Sequence, residues 1–466
     1  MHRKTLCAIA LAVALGVSPG ARAQDAELAR IRDEIRQMKE AYEKRIEALE
    51  RRLQEAEGKA DKAGQIAASA ESAAAPASVR PPGENALNPA VSLILQGTVA
   101  RSSRDPAGYQ LGGFVPSRGE VAPPGRGLNL SESELILSSS IDPYFRGQLV
   151  AAITPENRIE VEEAFFQSLA LGRGLTLKGG RFLSGIGYQN EIHQHAWDFQ
   201  DAPLAYKAFL GGRLNDDGVQ LKWVAPTDLL VELGTELGRG RNFPGTDRNR
   251  NAAGAWNLFG HAGGDLGTSL AWRAGLSHLR ASPRDRAYDD VDSTGTAVSN
   301  SFSGASRLWV LDGVLKWAPN QNASERNFKL QGEYFRRGEN GSLTYDRQAA
   351  SLGTRTGGYS SKQSGWYAQG VYQFMPEWRV GYRYDRLNAG TTRIGLVDSG
   401  ALGAADFPLL GGYKPRRNTF MLDWSPSEFS RIRLQFARDY SRRGEPDNQV
   451  LLQYVMSLGA HGAHRF

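Results

Sequence analysis

The chain has 466 residues, 53 of them glycine and one cysteine, and a formal net charge of +6. That charge is too small to indicate nucleic-acid binding. After the N-terminal 23 residues no stretch is long and apolar enough for a membrane-spanning helix, so helical membrane proteins are excluded. A membrane barrel is compatible with this composition, because its strands alternate between apolar and polar residues.

Residues 1–23 have the organisation of a secretory signal peptide. Residues 2–4 are mostly basic, residues 6–17 are apolar or small, and Ala21-Arg22-Ala23 offers a cleavage site. A membrane anchor is the alternative, but about twelve apolar residues are too few to span a bilayer as a helix. Cleavage would remove Cys7 and leave a mature chain without a thiol, a disulfide or a cysteine-based metal site.

Residues 24–57 are dense in Glu, Arg and Lys and contain neither Gly nor Pro. Their apolar residues recur at steps of three and four, at Leu28, Ile31, Ile35, Met38, Tyr42, Ile46, Leu49 and Leu53. This spacing predicts a coiled-coil helix whose apolar seam needs copies of itself, and therefore a parallel homo-oligomer. A lone solvated helix is the alternative. Residues 58–90, rich in Ala, Ser, Gly and Pro, are predicted to be a flexible linker.

From residue 91 to the terminal Phe466 the period changes to two. Polar Arg431, Arg433 and Gln435, for example, alternate with apolar neighbours. Large aromatic residues near the strand ends indicate a lipid-facing belt, so we predict an all-β fold, a transmembrane antiparallel β-barrel with a polar lumen. Its sixteen predicted strands are 93–101, 128–139, 144–153, 157–171, 174–183, 217–225, 228–238, 255–263, 267–280, 306–319, 325–336, 364–374, 376–387, 414–425, 428–440 and 449–458.

Short connections alternate with long ones along this barrel. Prolines at 226, 319, 376 and 426 each follow a strand, where a residue without a backbone N–H is tolerated. Long polar segments lie between these turns, at 102–127, 184–216, 239–254, 281–305, 337–363 and 388–413. The asymmetry is typical of outer-membrane barrels, and an even strand number returns both barrel ends to the periplasm. The short connection 154–156 is the weakest point of the strand count.

This order of segments resembles the phosphate-selective porin O and P family over nearly the whole chain. Local matches are Gly180-Arg181-Phe182, Gly218-Val219-Gln220-Leu221 and the terminal Phe466. The resemblance implies a trimeric porin in the outer membrane of a Gram-negative bacterium, which passes small solutes passively. No dense cluster of Arg or Lys in a loop marks a dedicated phosphate site.

A second, local resemblance covers Gly185 to Asp201, which is similar to a subgroup of barrels described as zinc-regulated, TonB-dependent receptors. Such a receptor needs a large plug domain before its barrel, whereas residues 24–90 are a predicted coil and linker. The receptor function therefore does not fit this chain.

The connection 184–216 contains the residues that most favour a binding site, namely Glu191, His193, His195, Trp197, Asp198, Phe199 and Asp201. It is the third long connection, which in sixteen-stranded porins commonly folds inward and narrows the pore. His193 and His195 would share one face of an extended segment and could bind a divalent cation with Asp198. The alternative is that both histidines hydrogen-bond to the barrel wall while Trp197 packs the loop down.

Eight basic residues occupy predicted lumen-facing positions: Lys222, Arg273, Lys316, Lys329, Arg379, Arg383, Arg431 and Arg433. A basic lumen favours anions. Asp312, Glu333 and Asp385 offset part of this charge, and a wall whose charges neutralise one another is the alternative.

The sequence thus predicts a non-enzymatic porin with mild anion preference, without a cofactor, whose partners are lipid, copies of itself and small solutes. Two alternatives stay open: a divalent-metal-related (zinc) channel using the connection 184–216, and a structural tether from membrane to cell wall through residues 24–57. An enzyme would need an activated nucleophile. Ser184 and Ser277 precede His193 and His278, but no motif links them.

Overall fold

The computed structural model describes residues 89–459 except 118–120, 156, 157, 248, 250 and 445. The predicted signal peptide, the coil, nearly all of the linker and the terminal Phe466 lie outside the described residues and stay predictions. Among the described residues, no helix is both long and apolar enough to cross a bilayer.

The described chain forms one closed antiparallel sheet, in which β1 pairs with β18 at one side and with β2 and β3 at the other. Its segments are β1 (Ala90–Ser102), β2 (Gly127–Leu130), β3 (Ser133–Ser140), β4 (Phe145–Ile153), β5 (Ile159–Ser168), β6 (Leu175–Leu183), β7 (Asn215–Val224), β8 (Leu230–Gly238), β9 (Ala255–Leu266), β10 (Leu270–Ala281), β11 (Arg286–Val291), β12 (Ala297–Trp317), β13 (Asn327–Tyr345), β14 (Arg355–Met375), β15 (Trp378–Ile394), β16 (Arg416–Ser427), β17 (Ser430–Asp439) and β18 (Asp447–Gly459).

Two pairs of these segments are single interrupted strands. β2 and β3 both pair with β1, and β10 and β11 both pair with β12. The closed sheet of the described residues therefore has sixteen strands, which confirms the predicted number and the predicted fold class. Sixteen strands enclose a lumen wide enough for water.

The wall has its apolar residues on the outside. On β17, Ile432, Leu434 and Phe436 are exposed, whereas Arg433 and Gln435 are buried in the interior. The same alternation holds on β15, where exposed Val380 and Tyr382 alternate with buried Gly381 and Arg383. Trp378 and Trp424 stack at one rim, with ring centroids 5.9 Å apart. A wall of this kind is stable only where lipid covers its outer face.

The two rims differ in the length of their connections. The short-turn side contains 141–144, 169–174, 225–229, 267–269, 318–326, 376–377 and 428–429, together with both barrel ends, Ala90 and Gly459. The predicted proline turns at 226, 319 and 376 lie on this side, and Pro426 lies in the last residues of β16 beside it. The opposite rim, the long-loop side, carries the long connections. The link from β4 to β5 on this side is short, and the backbone N–H of Thr154 donates to Arg158 O at 2.9 Å.

The prediction that 281–305 and 337–363 are loops was wrong over more than half of their length, and the prediction for 388–413 was wrong only for 388–394. Strands β11 to β15 continue through these segments beyond the lipid-facing belt. Val291 apart, the described strand residues of these segments include no exposed large apolar residue of the kind that marks a membrane strand, and inward aromatic residues hold the extension together. Phe302, Tyr345 and Tyr359 are buried in one cluster with Phe407.

Helices among the described residues are short and lie in the connections. Two are α-helical, Leu204–Leu210 and Gly395–Asp398, and six are 3₁₀ turns, Pro106–Gly108, Gln189–Glu191, Gln194–Ala196, Pro319–Gln321, Ala404–Asp406 and Pro408–Leu410. Three of these eight belong to the connection between β6 and β7, which occupies the lumen.

Candidate functional site: the lumen and its inner loop

Residues 184–214, the inner loop, fold into the barrel instead of projecting from it. The backbone N–H of Ser184 donates to Leu214 O at 2.9 Å, so the loop leaves and re-enters the wall at one point. No residue between them is exposed. Asn215 and Asp216, which we predicted to belong to this connection, are the first residues of β7.

An apolar helix anchors the centre of the inner loop. Every residue of Leu204–Leu210 is buried. Tyr206 packs edge-on against Phe335 of β13 at 5.1 Å between centroids, and Phe209 stacks on the same ring at 5.8 Å. Burying three aromatic rings inside the lumen fixes the loop against β13. Gly211, at φ 70°, ends the helix in the left-handed conformation that favours glycine.

The acidic residues of the inner loop meet a basic wall, which comprises Lys329, Arg379, Arg383, Arg417, Arg431 and Arg433. Asp198 lies 2.9 Å from Lys329 Nζ and 3.2 Å from Arg379 Nη1. Burial alone would raise the pKa of Asp198, but these two cations hold it below its ordinary value. The predicted ligand Asp198 is therefore an ion-pair partner of the wall.

Asp201 is the second acidic anchor. Its carboxylate pairs with Arg417, lies 3.0 Å from Arg383 Nη2 and lies 3.2 Å from Lys207 Nζ within the loop itself. Burial would raise the pKa of Asp201, yet the three surrounding cations lower it well below its ordinary range. One carboxylate thus neutralises charge from two strands and from the loop helix.

Backbone carbonyls of the inner loop complete the attachment to the basic wall. Arg433 Nη2 donates to Trp197 O at 2.7 Å, and Arg383 Nη1 donates to Asp201 O at 2.8 Å. Arg431 donates to His195 O. These bonds hold residues 195–201 close to β15 and β17.

The opposite side of the lumen is an acidic wall, formed by Glu132, Glu134, Glu162 and Glu163 on and beside β3 and β5. Glu162 and Glu163 are adjacent in sequence, yet both are buried on the lumen side. They share this side because the β4–β5 ladder skips Glu162, a β-bulge that breaks the alternation. Glu132 lies in the break between β2 and β3.

Basic groups of the inner loop face this acidic wall. His193 Nε2 lies 3.1 Å from Glu163 Oε2, and His195 Nδ1 lies 3.1 Å from Glu134 Oε1. Arg213 Nη2 pairs with Glu132 at 2.9 Å and also with Glu162. Burial would lower the pKa of His193, but the neighbouring carboxylates raise it well above its ordinary value.

The structure places the remaining predicted pore residues on the lumen side, and two of them have partners of opposite charge. Lys222 lies 3.0 Å from Glu232, and Arg273 lies 3.9 Å from Glu191. Lys316 lines a cavity on the short-turn side. Much of the predicted positive charge is therefore offset by acids of the wall and the loop.

The two predicted histidines come together, but the predicted third ligand does not join them. The rings of His193 and His195 stack with centroids 5.8 Å apart, beside Glu134 and Glu162. Asp198 pairs instead with Lys329 and Arg379 of the basic wall. The acidic wall was missed in the sequence, although the pair Glu162-Glu163 interrupts the alternation of its strand.

Two cavities lie above and below the inner loop. The one on the short-turn side has a volume of about 660 Å³, and the one on the long-loop side about 1510 Å³. Gln194 and Trp197 border the larger cavity, whereas His195 and Asp198 border the smaller. Residues 194–198 therefore separate the two water-accessible spaces.

The serines considered as nucleophiles have other roles in the described structure. Ser184 Oγ donates to Glu236 Oε2 at 2.5 Å, and Ser277 Oγ accepts from the backbone N–H of Gly187 at 3.2 Å.

No protein-family model matches this chain. A protein of Aquifex aeolicus (strain VF5), described only as uncharacterized, is 30% identical over 419 residues, which cover 83% of this chain and 82% of that protein.

Similar solved structures are outer-membrane proteins of distant sequence. The trimer form of OmpT of Vibrio cholerae is 10% identical, with a TM-score of 0.47, over 79% of this chain and 98% of that one. The anion-selective porin from Comamonas acidovorans is 11% identical, with a TM-score of 0.45, over 79% and 99%. The outer-membrane channel DcaP of Acinetobacter baumannii is 10% identical, with a TM-score of 0.44, over 79% and 96%.

Proposed function

This chain belongs to one family with the uncharacterized Aquifex aeolicus protein, and we propose that it is an outer-membrane porin through which small solutes diffuse passively. One observation carries the proposal: residues 194–198 of the inner loop lie between two cavities inside a lipid-facing barrel. A loop fixed across a wide lumen restricts passage by size without closing the barrel.

The proposed porin prefers anions mildly. Four cationic side chains, Lys316, Lys329, Arg379 and Arg431, line the cavity on the short-turn side, against the carboxylates of Asp198, Asp265 and Glu428. A small excess of positive charge in a cavity with low-dielectric walls raises the local concentration of anions. The balance is close, so the preference is modest.

We expect single channels in planar bilayers, with reversal potentials in a salt gradient that indicate anion preference. Lys316→Glu is expected to shift the reversal potential towards cations, because it changes the charge of the cavity by two units. Asp228→Asn, an exposed position in the turn 225–229 that borders neither cavity, serves as the control and is expected to change nothing. Absence of any conductance would contradict the porin and favour the structural tether.

The proposed assembly is a homotrimer held in part by the predicted coil of residues 24–57. Chemical cross-linking of the mature protein is expected to yield trimers, and a variant lacking residues 25–57 is expected to yield fewer, because the apolar seam is lost. An unchanged yield would mean that the barrel walls alone hold the oligomer.

A divalent-metal-related channel is the second candidate, favoured by the meeting of His193 with Glu134 and Glu162. In this case zinc would change the conductance of the wild-type protein. It would not change that of a double variant, His193→Ala with His195→Ala. An identical response of both proteins would contradict this candidate.

A further inference from the structure

Where the inner loop meets the acidic wall, three potential metal ligands converge. His193 Nδ1 lies 3.3 Å from Glu134 Oε2 and 3.5 Å from Glu162 Oε2. One ligand atom from each of these residues lies within 4.8 Å of the other two. His193 belongs to the inner loop, Glu134 to β3 and Glu162 to β5, so the cluster lies where the inner loop contacts the barrel wall.

These separations suit a small divalent ion. Zinc binds imidazole nitrogen and carboxylate oxygen at about 2.0–2.2 Å, so neighbouring ligand atoms of a tetrahedral site lie roughly 3.3–3.5 Å apart. The two measured distances from His193 Nδ1 fall in this range. An ion between the three atoms therefore requires little movement of the side chains.

Two of the three ligand atoms, Glu134 Oε2 and His193 Nδ1, face each other at 3.3 Å without the geometry of a hydrogen bond. Glu134 Oε2 and His193 Nδ1 are both buried, and neither has a partner with hydrogen-bond geometry. Glu134 itself is completely buried, and its ion-pair partners among the described residues are the two histidines. A bound cation would compensate this buried carboxylate oxygen, and it would take the place of the proton on His193 Nδ1.

The surrounding side chains already provide the outer contacts of a metal site. Glu163 Oε2 lies 3.1 Å from His193 Nε2, which would hold Nε2 protonated and direct Nδ1 towards the ion. His195 Nδ1 lies 3.1 Å from the other oxygen of Glu134 and orients that carboxylate. Arg213 pairs with Glu162 and fixes its position.

We propose that Glu134, Glu162 and His193 bind one divalent transition-metal ion, with Zn²⁺ the best match and water as the remaining ligand. Mixed nitrogen and oxygen ligands favour zinc and its neighbours over calcium and magnesium, which prefer oxygen alone. The ligand set differs from the sequence prediction because the two glutamates replace His195 and Asp198.

The ion would tie the inner loop to the acidic wall. Asp198 and Asp201 already attach the loop to the basic wall. A metal bridge from His193 to β3 and β5 would attach the opposite side, so that the ion limits movement of the loop across the lumen. Like the proposed function, this inference requires that the inner loop lies inside the lumen. It does not require that the barrel conducts solutes.

The test is equilibrium dialysis of the untagged, folded, mature protein against Zn²⁺, followed by measurement of the bound metal. We expect His193→Ala to bind one Zn²⁺ per chain fewer than the wild type. We expect Glu163→Gln to retain the site with a Zn²⁺ affinity about 10- to 100-fold weaker. Co²⁺ in place of Zn²⁺ should give visible absorption bands that His193→Ala lacks.

His261→Ala is the matched control, because His261 is also buried on the lumen side but lies 3.1 Å from a single carboxylate, that of Glu232. It should bind as much Zn²⁺ as the wild type. Heat-modifiable mobility on gels establishes that each variant is folded, and Glu162→Gln replaces any variant that is not. Equal Zn²⁺ binding by the wild type and His193→Ala would overturn the site. If the wild-type protein binds Zn²⁺ but shows no conductance, the proposed porin function is contradicted and the proposed metal site is not.

Discussion

Replacing residues 185–213 by a two-residue Asn-Gly turn is expected to raise the single-channel conductance several-fold. The wall should survive this change, because Leu183 already pairs with Asn215 and the backbone of Ser184 bonds to Leu214. Asn-Gly forms the tight turn that joins two antiparallel strands at this spacing. The lumen would then lose the loop that separates its two cavities, and a sixteen-stranded barrel without a constriction is a wide aqueous channel.

The same replacement is expected to weaken ion selectivity. In the widened lumen, the wall charges lie more than one Debye length, about 8 Å at physiological salt, from the pore axis. Dissolved salt therefore screens their field at the centre of the pore. The measurements are single-channel conductance, reversal potential and the size limit for sugars in liposome swelling. Shortening the turn 292–296 at the tip of β11 and β12 is the control. If the variant with the Asn-Gly turn and the wild-type protein have equal conductance, the inner loop is not the constriction.

Much of the barrel could be predicted because lipid imposes a strict pattern on each strand. Ile432, Leu434 and Phe436 must face outward, so Arg433 and Gln435 must face the lumen. The pattern fails beyond the lipid-facing belt, where water wets the outer face. For this reason β12 to β15 extend through segments that were predicted to be loops.

Only those residues of the candidate site that are close to one another in sequence could be predicted together. His193 and His195 share a short loop and were found together, whereas Glu134 is separated from them by about sixty residues. A β-bulge turns both Glu162 and Glu163 inward, and a regular alternation would have placed them on opposite faces. The partners of Asp198 likewise follow from strand register, which a sequence pattern does not specify for distant strands.

Asp201→Asn is expected to loosen the inner loop and to give larger, noisier currents from a barrel that still folds. The substitution removes the carboxylate shared by Lys207, Arg383 and Arg417. Among the described residues, the ion-pair partners left to the two arginines are then Asp385 and Asp439. Removing one partner of a buried ion pair costs about 3–5 kcal/mol, and the lower end applies here because the larger cavity borders Asp201. The strand ladders do not depend on this carboxylate.

The direction in which ion selectivity changes distinguishes a specific effect of Asp201→Asn from general damage to the barrel. Loss of one negative charge beside three cations makes the lumen more positive, so the reversal potential of Asp201→Asn should move further towards anions. Asp228→Asn removes an exposed carboxylate in the turn 225–229, away from both cavities, and it should leave both current noise and reversal potential unchanged. A reversal potential that moves towards cations in Asp201→Asn would mean that Asp201 does not neutralise the basic wall. The inner loop would then be held by its buried helix, Leu204–Leu210, and not by its charges.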